Sequence, residues 1–400
     1  MGLTVASALL SIAACWLVAM VLGPKVVNRL GRIGPRRLDP RTALAGRAPK
    51  VSVIVAARDE EAAISDRIDN LFAQDRPDGG LEIVIISDGS TDRTCELVRQ
   101  AQQRCPPDRT LVLVDQQPNI GKEAALGVAI AAATGDIVVL SDATTEFQPD
   151  VVRKFVDALL ADDIGAASGR VVYRPKAGGV AAAFDSYQKF VVGQRMAGRR
   201  RQIQVSTSGA CSAIWKACLG RYESNLNSDL QLAVLAAEDG LCTAYVADAI
   251  AWEESRVDLG EELRGRTRII RLCLLSLPRL LQRLRACDEG AVAAALLTMK
   301  ATRWLLWLPI ALGMAGLALA ALSAPAPVAA LAALLAVAAP MAAALAYRHL
   351  THPWPLPARI SGLLSGAGYA VLGVIASAWA LRQVLAGQTS MGWTPERPTA

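Results

Sequence analysis

Val51-Ser52-Val53-Ile54-Val55-Ala56-Ala57-Arg58-Asp59-Glu60-Glu61 is a β-branched run that closes in an acidic turn. Leu81-Glu82-Ile83-Val84-Ile85-Ile86-Ser87-Asp88-Gly89-Ser90-Thr91-Asp92 follows the same plan. Two more strands are predicted at Thr110 to Val114 and Asp136 to Ser141, with helices at Glu60 to Ala73, Asp92 to Arg104, Lys122 to Ala133 and Pro149 to Leu160. Short strands alternating with helices mark an α/β fold with a mostly parallel sheet. Such sheets bind ligands beyond the carboxyl ends of their strands. Three acidic turns are expected on that edge, the third being Asp142-Ala143-Thr144-Thr145 after the fourth strand.

The chemistry of those turns narrows the ligand. A dinucleotide fold needs Gly-x-Gly-x-x-Gly after its first strand, where this chain has carboxylates. Gly121-Lys122 lacks the upstream Gly and the following Ser or Thr of a phosphate loop. Carboxylates gathered at a sheet edge suit a ligand that offers hydroxyls and a divalent cation, as a nucleoside diphosphate on Mg2+ or Mn2+ does. Asp92 or Glu60 alone is an ordinary helix cap; the threefold coincidence is what points to a ligand.

Composition divides the chain in two. Of 400 residues 53% are hydrophobic and 20% charged, and the mean hydropathy is +0.32. These values exclude a wholly soluble protein, a disordered one and a coiled coil. Trp304 to Tyr347 carries no charge, whereas Lys50 to Arg271 is as charged as any enzyme domain. Leu3 to Leu22 is uncharged, ends in Gly23-Pro24, and is followed by Lys25, Arg29, Arg32, Arg36 and Arg37. It is long enough to span a bilayer. Its basic residues follow the apolar run, as in a retained anchor, and the positive-inside rule then places the next residues in the cytoplasm.

Three further spans are predicted at Trp304 to Leu322, Val328 to Tyr347 and Ile360 to Leu381, rich in Ala, Gly and Ser as closely packed helices in lipid are. The first two are joined by the turn Ser323 to Pro327. Arg268 to Leu284 alternates Arg with apolar residues like an interfacial helix, with a surface helix of the soluble part as the alternative. The expected domains are an anchor at 1–24, a basic linker at 25–49, a cytoplasmic catalytic domain at 50–265, an interfacial region at 266–290, transmembrane helices at 291–385 and a tail at 386–400. Gly392-Trp393-Thr394-Pro395 in that tail suits the inner face, although four spans would place it outside. The net charge of +6, from 42 basic and 36 acidic residues, flanks the apolar segments, which favours membrane orientation over nucleic-acid binding. Eight cysteines show no CxxC pair and no adjacent His, so free thiols are expected rather than zinc or disulfides. His349 and His352 fall in the predicted loop between the last two spans and receive no role.

Five motifs, taken together, carry a resemblance: Ala56-Ala57-Arg58-Asp59-Glu60-Glu61, Ser87 to Asp92, Gly121-Lys122-Glu123-Ala124-Ala125-Leu126, Ser141-Asp142-Ala143-Thr144 and Ser228-Asp229-Leu230-Gln231-Leu232. In this order and spacing they resemble the membrane-bound family-2 glycosyltransferases. These are inverting GT-A-fold enzymes of the cellulose- and hyaluronan-synthase-like superfamily, here of the exopolysaccharide branch. The likeness covers Pro49 to Leu280 by motif. It implies that Asp59 and Asp88 contact the nucleotide base and ribose and that Lys122 meets the diphosphate. Asp142 matches the first carboxylate of the family's DxD motif. The second is replaced by Thr144, so the implied site for Mg2+ or Mn2+ is weakened. Ser208-Gly209-Ala210 resembles the loop that lines the sugar pocket; the alternative is a plain turn before a helix predicted at Ala213 to Cys218. Asp229, opening a helix expected to end at Glu238, matches the general base. Arg264, Arg266 and Arg268 stand where processive relatives carry Gln-x-x-Arg-Trp and would face the leaving diphosphate, with anionic lipid head groups as the rival partner. The missing Gln and Trp argue for single addition.

The expected function is therefore an inverting transfer of a sugar from a nucleotide-sugar donor, UDP-linked, to a hydroxyl of a glycan or lipid-linked acceptor at the inner membrane face. The expected partners are the donor, the acceptor, the lipid bilayer and export or polymerisation proteins, with no nucleic acid. Two alternatives stay open: a polyprenyl-phosphate glycosyltransferase, and a non-catalytic membrane scaffold that keeps the fold, a reading that Thr144 sustains.

Overall fold

The computed structural model describes residues 2–30, 33–174, 203–254, 258–351 and 358–388, with Phe184, Gln188 and Val192. Among these residues eight strands form one sheet: β1 (Val51–Ala57), β2 (Leu81–Asp88), β3 (Arg109–Gln116), β4 (Ile137–Asp142), β5 (Glu146–Phe147), β6 (Ile164–Arg174), β7 (Ser212–Trp215) and β8 (Cys242–Glu254). Their order is β3-β2-β1-β4-β7-β6-β8-β5. β1, β2, β3 and β4 run parallel to one another, as does β6 to β8, while β7 is antiparallel to β4 and β6, and β5 to β8.

Helices α2 (Ile64–Phe72), α3 (Thr94–Gln103), α4 (Lys122–Ala132) and α5 (Val151–Leu160) connect the strands, and α6 (Ser228–Glu238) precedes β8. All residues of β1 and β2 are buried, so their continuous apolar runs are what a doubly covered sheet requires. The register pairs Ala57 with Ser87 and Ala56 with Asp142. Since these strands are parallel, all three acidic turns leave the same edge.

The helix predicted at Ala213 to Cys218 is instead β7 followed by a 3₁₀ turn, Lys216–Arg221. A short apolar run carries no periodicity to separate helix from strand, and the ladder from Ser212–Trp215 to β4 decides it. The predicted interfacial segment is the middle of a longer helix, α7 (Leu259–Ala286), which Asp258 caps by accepting the Glu261 N–H at 2.8 Å.

Outside this domain, three helices among the described residues are long and apolar enough to cross a membrane: α1 (Gly2–Leu30), α10 (Ala326–Thr351) and α11 (Ala358–Leu385). α1 continues through Gly23-Pro24, where its apolar run was expected to stop. The span expected at Trp304 to Leu322 forms one arm of a bent pair, since Gly290–Trp304 and α9 (Trp307–Ser323) meet at 62°. The first arm contains α8 (Gly290–Leu296) and a π turn at Leu297–Ala301. At the break the Trp16 indole N–H donates to the Thr302 carbonyl at 3.3 Å. His349 belongs to the last turn of α10 rather than to a loop. It is fully buried, with Nε2 3.1 Å from Ser361 Oγ. His352 and Gly392 to Pro395 lie outside the described residues. All eight cysteines are free thiols.

Candidate active site

At the edge where β1, β2 and β4 end, the first two turns are stitched together. Asp59 has a left-handed backbone (φ 50°), donates its N–H to Ser90 Oγ at 3.1 Å and accepts the Thr91 N–H at 2.7 Å. Asp92 accepts the Thr94 N–H at 2.9 Å just ahead of α3, whose N-cap position is Arg93. Asp88 is fully buried and accepts from Asn119 Nδ2 at 2.7 Å, the Ile120 N–H at 2.8 Å and the Gly121 N–H at 2.9 Å. It thereby holds the loop that launches α4. Gly89 (φ 71°) permits this closeness, because a Cβ there would come within 2.7 Å of the Asn119 nitrogen.

The launched helix delivers Lys122, whose ammonium lies 2.6 Å from Asp142 Oδ1. Burial works against the lysine's charge, but Asp142, with Glu123 and Asp229 behind it, outweighs burial and raises its pKa. Asp229 enters from α6, whose cap is Asn227 Oδ1 on the Leu230 N–H at 3.2 Å. The Asp229 carbonyl accepts the Thr207 N–H at 2.7 Å, and a Cβ on Gly209 would sit 2.7 Å from Asp229 Oδ1. The Ala210 carbonyl accepts from Ser141 Oγ at 2.9 Å, and the Ser208 carbonyl from the Cys211 N–H at 3.0 Å. The 208–210 loop is thus held between the strand that carries Asp142 and the helix that carries Asp229.

The three arginines are placed differently. Arg266 pairs with Glu262 at 2.7 Å, donates to the Tyr369 hydroxyl at 2.5 Å and lies 4.1 Å above that tyrosine ring. Its guanidinium therefore joins α7 to α11. Arg264 is exposed and Arg268 half-buried on the same helix.

Several polar residues at this edge escaped the sequence reading. Arg67 is buried, donates to Ser141 Oγ at 2.7 Å and lies 4.3 Å over Phe147. Burial pulls its pKa down to about 9. Glu253 accepts from Thr145 Oγ1 at 2.9 Å, and burial together with the Asp142 charge raises its pKa. Glu123 and Tyr222, under Asp229, complete the set. Only Glu123 had a signal in the sequence, as the neighbour of Lys122 in a recognised motif.

Among the described residues no three His, Cys, Asp or Glu converge as a metal cage. Asp142 keeps its side chain 33% exposed, and Thr144 adds no charge. That donor set fits a hard cation held largely by diphosphate oxygens and water, with one protein carboxylate.

A sheet with this strand order and its acidic turns on one edge defines the GT-A class of nucleotide-sugar transferase folds. The fold is similar to that of the mannosyltransferase PcManGT from Pyrobaculum calidifontis, solved with GDP-Man and Mn2+. The TM-score is 0.62 at 24% identity, covering 93% of this chain and 97% of that one. Residues 48–271, more than half of the chain, match the model of the glycosyltransferase-like family 2, and the chain belongs to that family.

Named relatives include an N-acetylglucosaminyltransferase of Sinorhizobium fredii, 27% identical over 238 residues, 56% of this chain and 57% of the relative. A beta-monoglucosyldiacylglycerol synthase of Synechocystis is 31% identical over 195 residues, 44% of this chain and 40% of the relative. The chain spans about half the length of such relatives.

Proposed function

We propose that this protein is an inverting glycosyltransferase that moves a sugar from a nucleotide-sugar donor, UDP-linked, to a hydroxyl of a glycan or lipid-linked acceptor at the inner face of the membrane. The observation that carries this reading is the placement of Asp229 against Gly209, on the same sheet edge as the Lys122–Asp142 pair. Asp59 lies where base and ribose would bind, and Asp88 serves the nucleotide through the 119–121 loop that it holds. Lys122 faces the diphosphate and opposes its growing negative charge. Asp142 would hold Mg2+ or Mn2+, which supplies charge neutralisation to the leaving diphosphate when bound.

The small residues Gly209 and Ala210 let the sugar approach the backbone, and Asp229 removes the acceptor proton. The acceptor oxygen bonds to the anomeric carbon as the bond to the diphosphate oxygen breaks on the opposite face. The proton goes to Asp229, and the electron pair leaves with the nucleoside diphosphate. Such general-base assistance is worth roughly 10²–10⁴-fold. The apolar helices bring the site to a bilayer and to export or polymerisation partners embedded in it.

Nucleoside diphosphate release from a panel of nucleotide sugars tests the reading. Asp229→Asn is expected to lower kcat by about 100-fold or more with nucleotide binding intact. Full turnover by that variant would favour a phosphate acceptor, which needs no base. Nucleotide binding without turnover, with or without Mn2+, in wild type and Asp142→Ala alike, would favour the scaffold.

A further inference from the structure

Beneath Asp229 lies a carboxylate that the reaction as written does not use. Glu123 is 6% exposed and is the second residue of α4, directly after Lys122. Its Oε2 accepts the Ser228 N–H at 3.1 Å and the Tyr222 hydroxyl at 3.3 Å, and its Oε1 accepts the Ser228 hydroxyl at 3.3 Å. Two of these donors belong to Ser228, the first residue of α6 and the one before Asp229, and the third to Tyr222 in the segment that leads into that helix. On the other side, the peptide that follows Lys122 is rigidly helical, and Lys122 reaches Asp142.

A buried carboxylate is costly unless its oxygens are satisfied, and a hydrophobic or neutral residue would fill this place at less cost. What its two oxygens add is a hold on one particular turn of chain. The ordinary cap of α6 is already provided by Asn227, so Glu123 is not needed to start the helix.

We infer that Glu123 is a positioning residue for the transfer reaction. By gripping Ser228 it sets the Asp229 carboxylate against the Gly209 loop, and through Lys122 it locks that base to the diphosphate end of the site. Donor seat and base are thereby two ends of one rigid connection, so a displaced base costs turnover and leaves donor binding intact. This rests on the base reading of Asp229. The charged or titratable groups facing Glu123 are Lys122 on its own helix, Tyr222 from the preceding loop, Asp229 from α6 and the Cys273 thiol from α7.

The test uses the full-length protein in detergent or nanodiscs with Glu123→Ala, Glu123→Gln and Asp229→Asn. For Glu123→Ala, kcat should fall about tenfold or more, with donor KM within about threefold, as a misplaced catalytic group costs rate rather than binding. Glu123→Gln, which still accepts from Ser228, should recover kcat to within about threefold of wild type. Retained nucleoside diphosphate binding shows that the variants are folded.

An unchanged kcat in Glu123→Ala overturns the inference, as does equal loss of kcat in the Ala and Gln variants. A wild-type rate in Asp229→Asn overturns the base reading instead. A large loss in Asp229→Asn beside an unaffected Glu123→Ala removes only the positioning role.

Discussion

Gly209 shows how narrowly the site is set at the scale of one residue. A methyl group there would press on Asp229 Oδ1, so Gly209→Ala is expected to lower kcat by about tenfold or more while nucleotide affinity, measured by calorimetry, changes little. Glu123 makes a second prediction. Burial and the Asp229 charge raise its carboxyl from 4.5 to about 7. In the unfolded chain it would titrate at its ordinary value, so between the two the folded protein holds a proton that the unfolded one has lost. The associated stability is full below about pH 4.5 and is lost as pH rises through about 7. Glu123→Gln should therefore flatten the fall of unfolding free energy with pH over that window, followed by denaturant titration at several pH values. Asp59, Asp142 and Asp229 could be picked out as candidates because each sits in a local motif. Arg67 and Glu253 were not, since their partners Ser141 and Thr145 come from distant parts of the chain.

At the scale of elements, α6 and α7 are joined by a buried ion pair. Arg283 grips Glu238 with two bonds of 2.6 and 2.7 Å and reaches Glu223 at 3.0 Å. Removing one member of such a pair strands the other, at about 3 kcal/mol. Arg283→Met should lower unfolding free energy by about that amount, and adding Glu238→Gln should restore part of it. Arg221, 3.0 Å from Glu238, limits the loss in the single variant. The parallel strands β1, β2 and β4 could be read from sequence because covered strands leave long β-branched runs. β7 could not, because its four residues become a strand only through their ladder with β4. Likewise, part of α7 was visible as a pattern of alternating arginines and apolar residues. That Arg266 would turn to Glu262 and Tyr369 depends on α11, more than ninety positions on, and no local pattern encodes it.

For the whole molecule, glycines set how closely the apolar helices meet. A Cβ on Gly316 would lie 2.9 Å from Leu10 Cγ and 3.1 Å from the Ala6 carbonyl, and one on Gly368 would collide with the Ala346 carbonyl. Close approach of this kind is what holds helices together in lipid. Gly316→Val and Gly368→Val should each lower the melting temperature in detergent by several degrees. Gly362→Ala, with open space around it, serves as the control.

The contact between Trp16 and Thr302 joins residues 286 positions apart. During synthesis, α1 is made well before the arm it packs against, with the entire transferase domain between them. The first helix must therefore wait without this neighbour for as long as it takes to translate everything in between. At ≈ 5–20 residues per second this is some tens of seconds. Any slowing of the domain's synthesis lengthens that wait, so the pairing of these helices is timed by the domain that separates them.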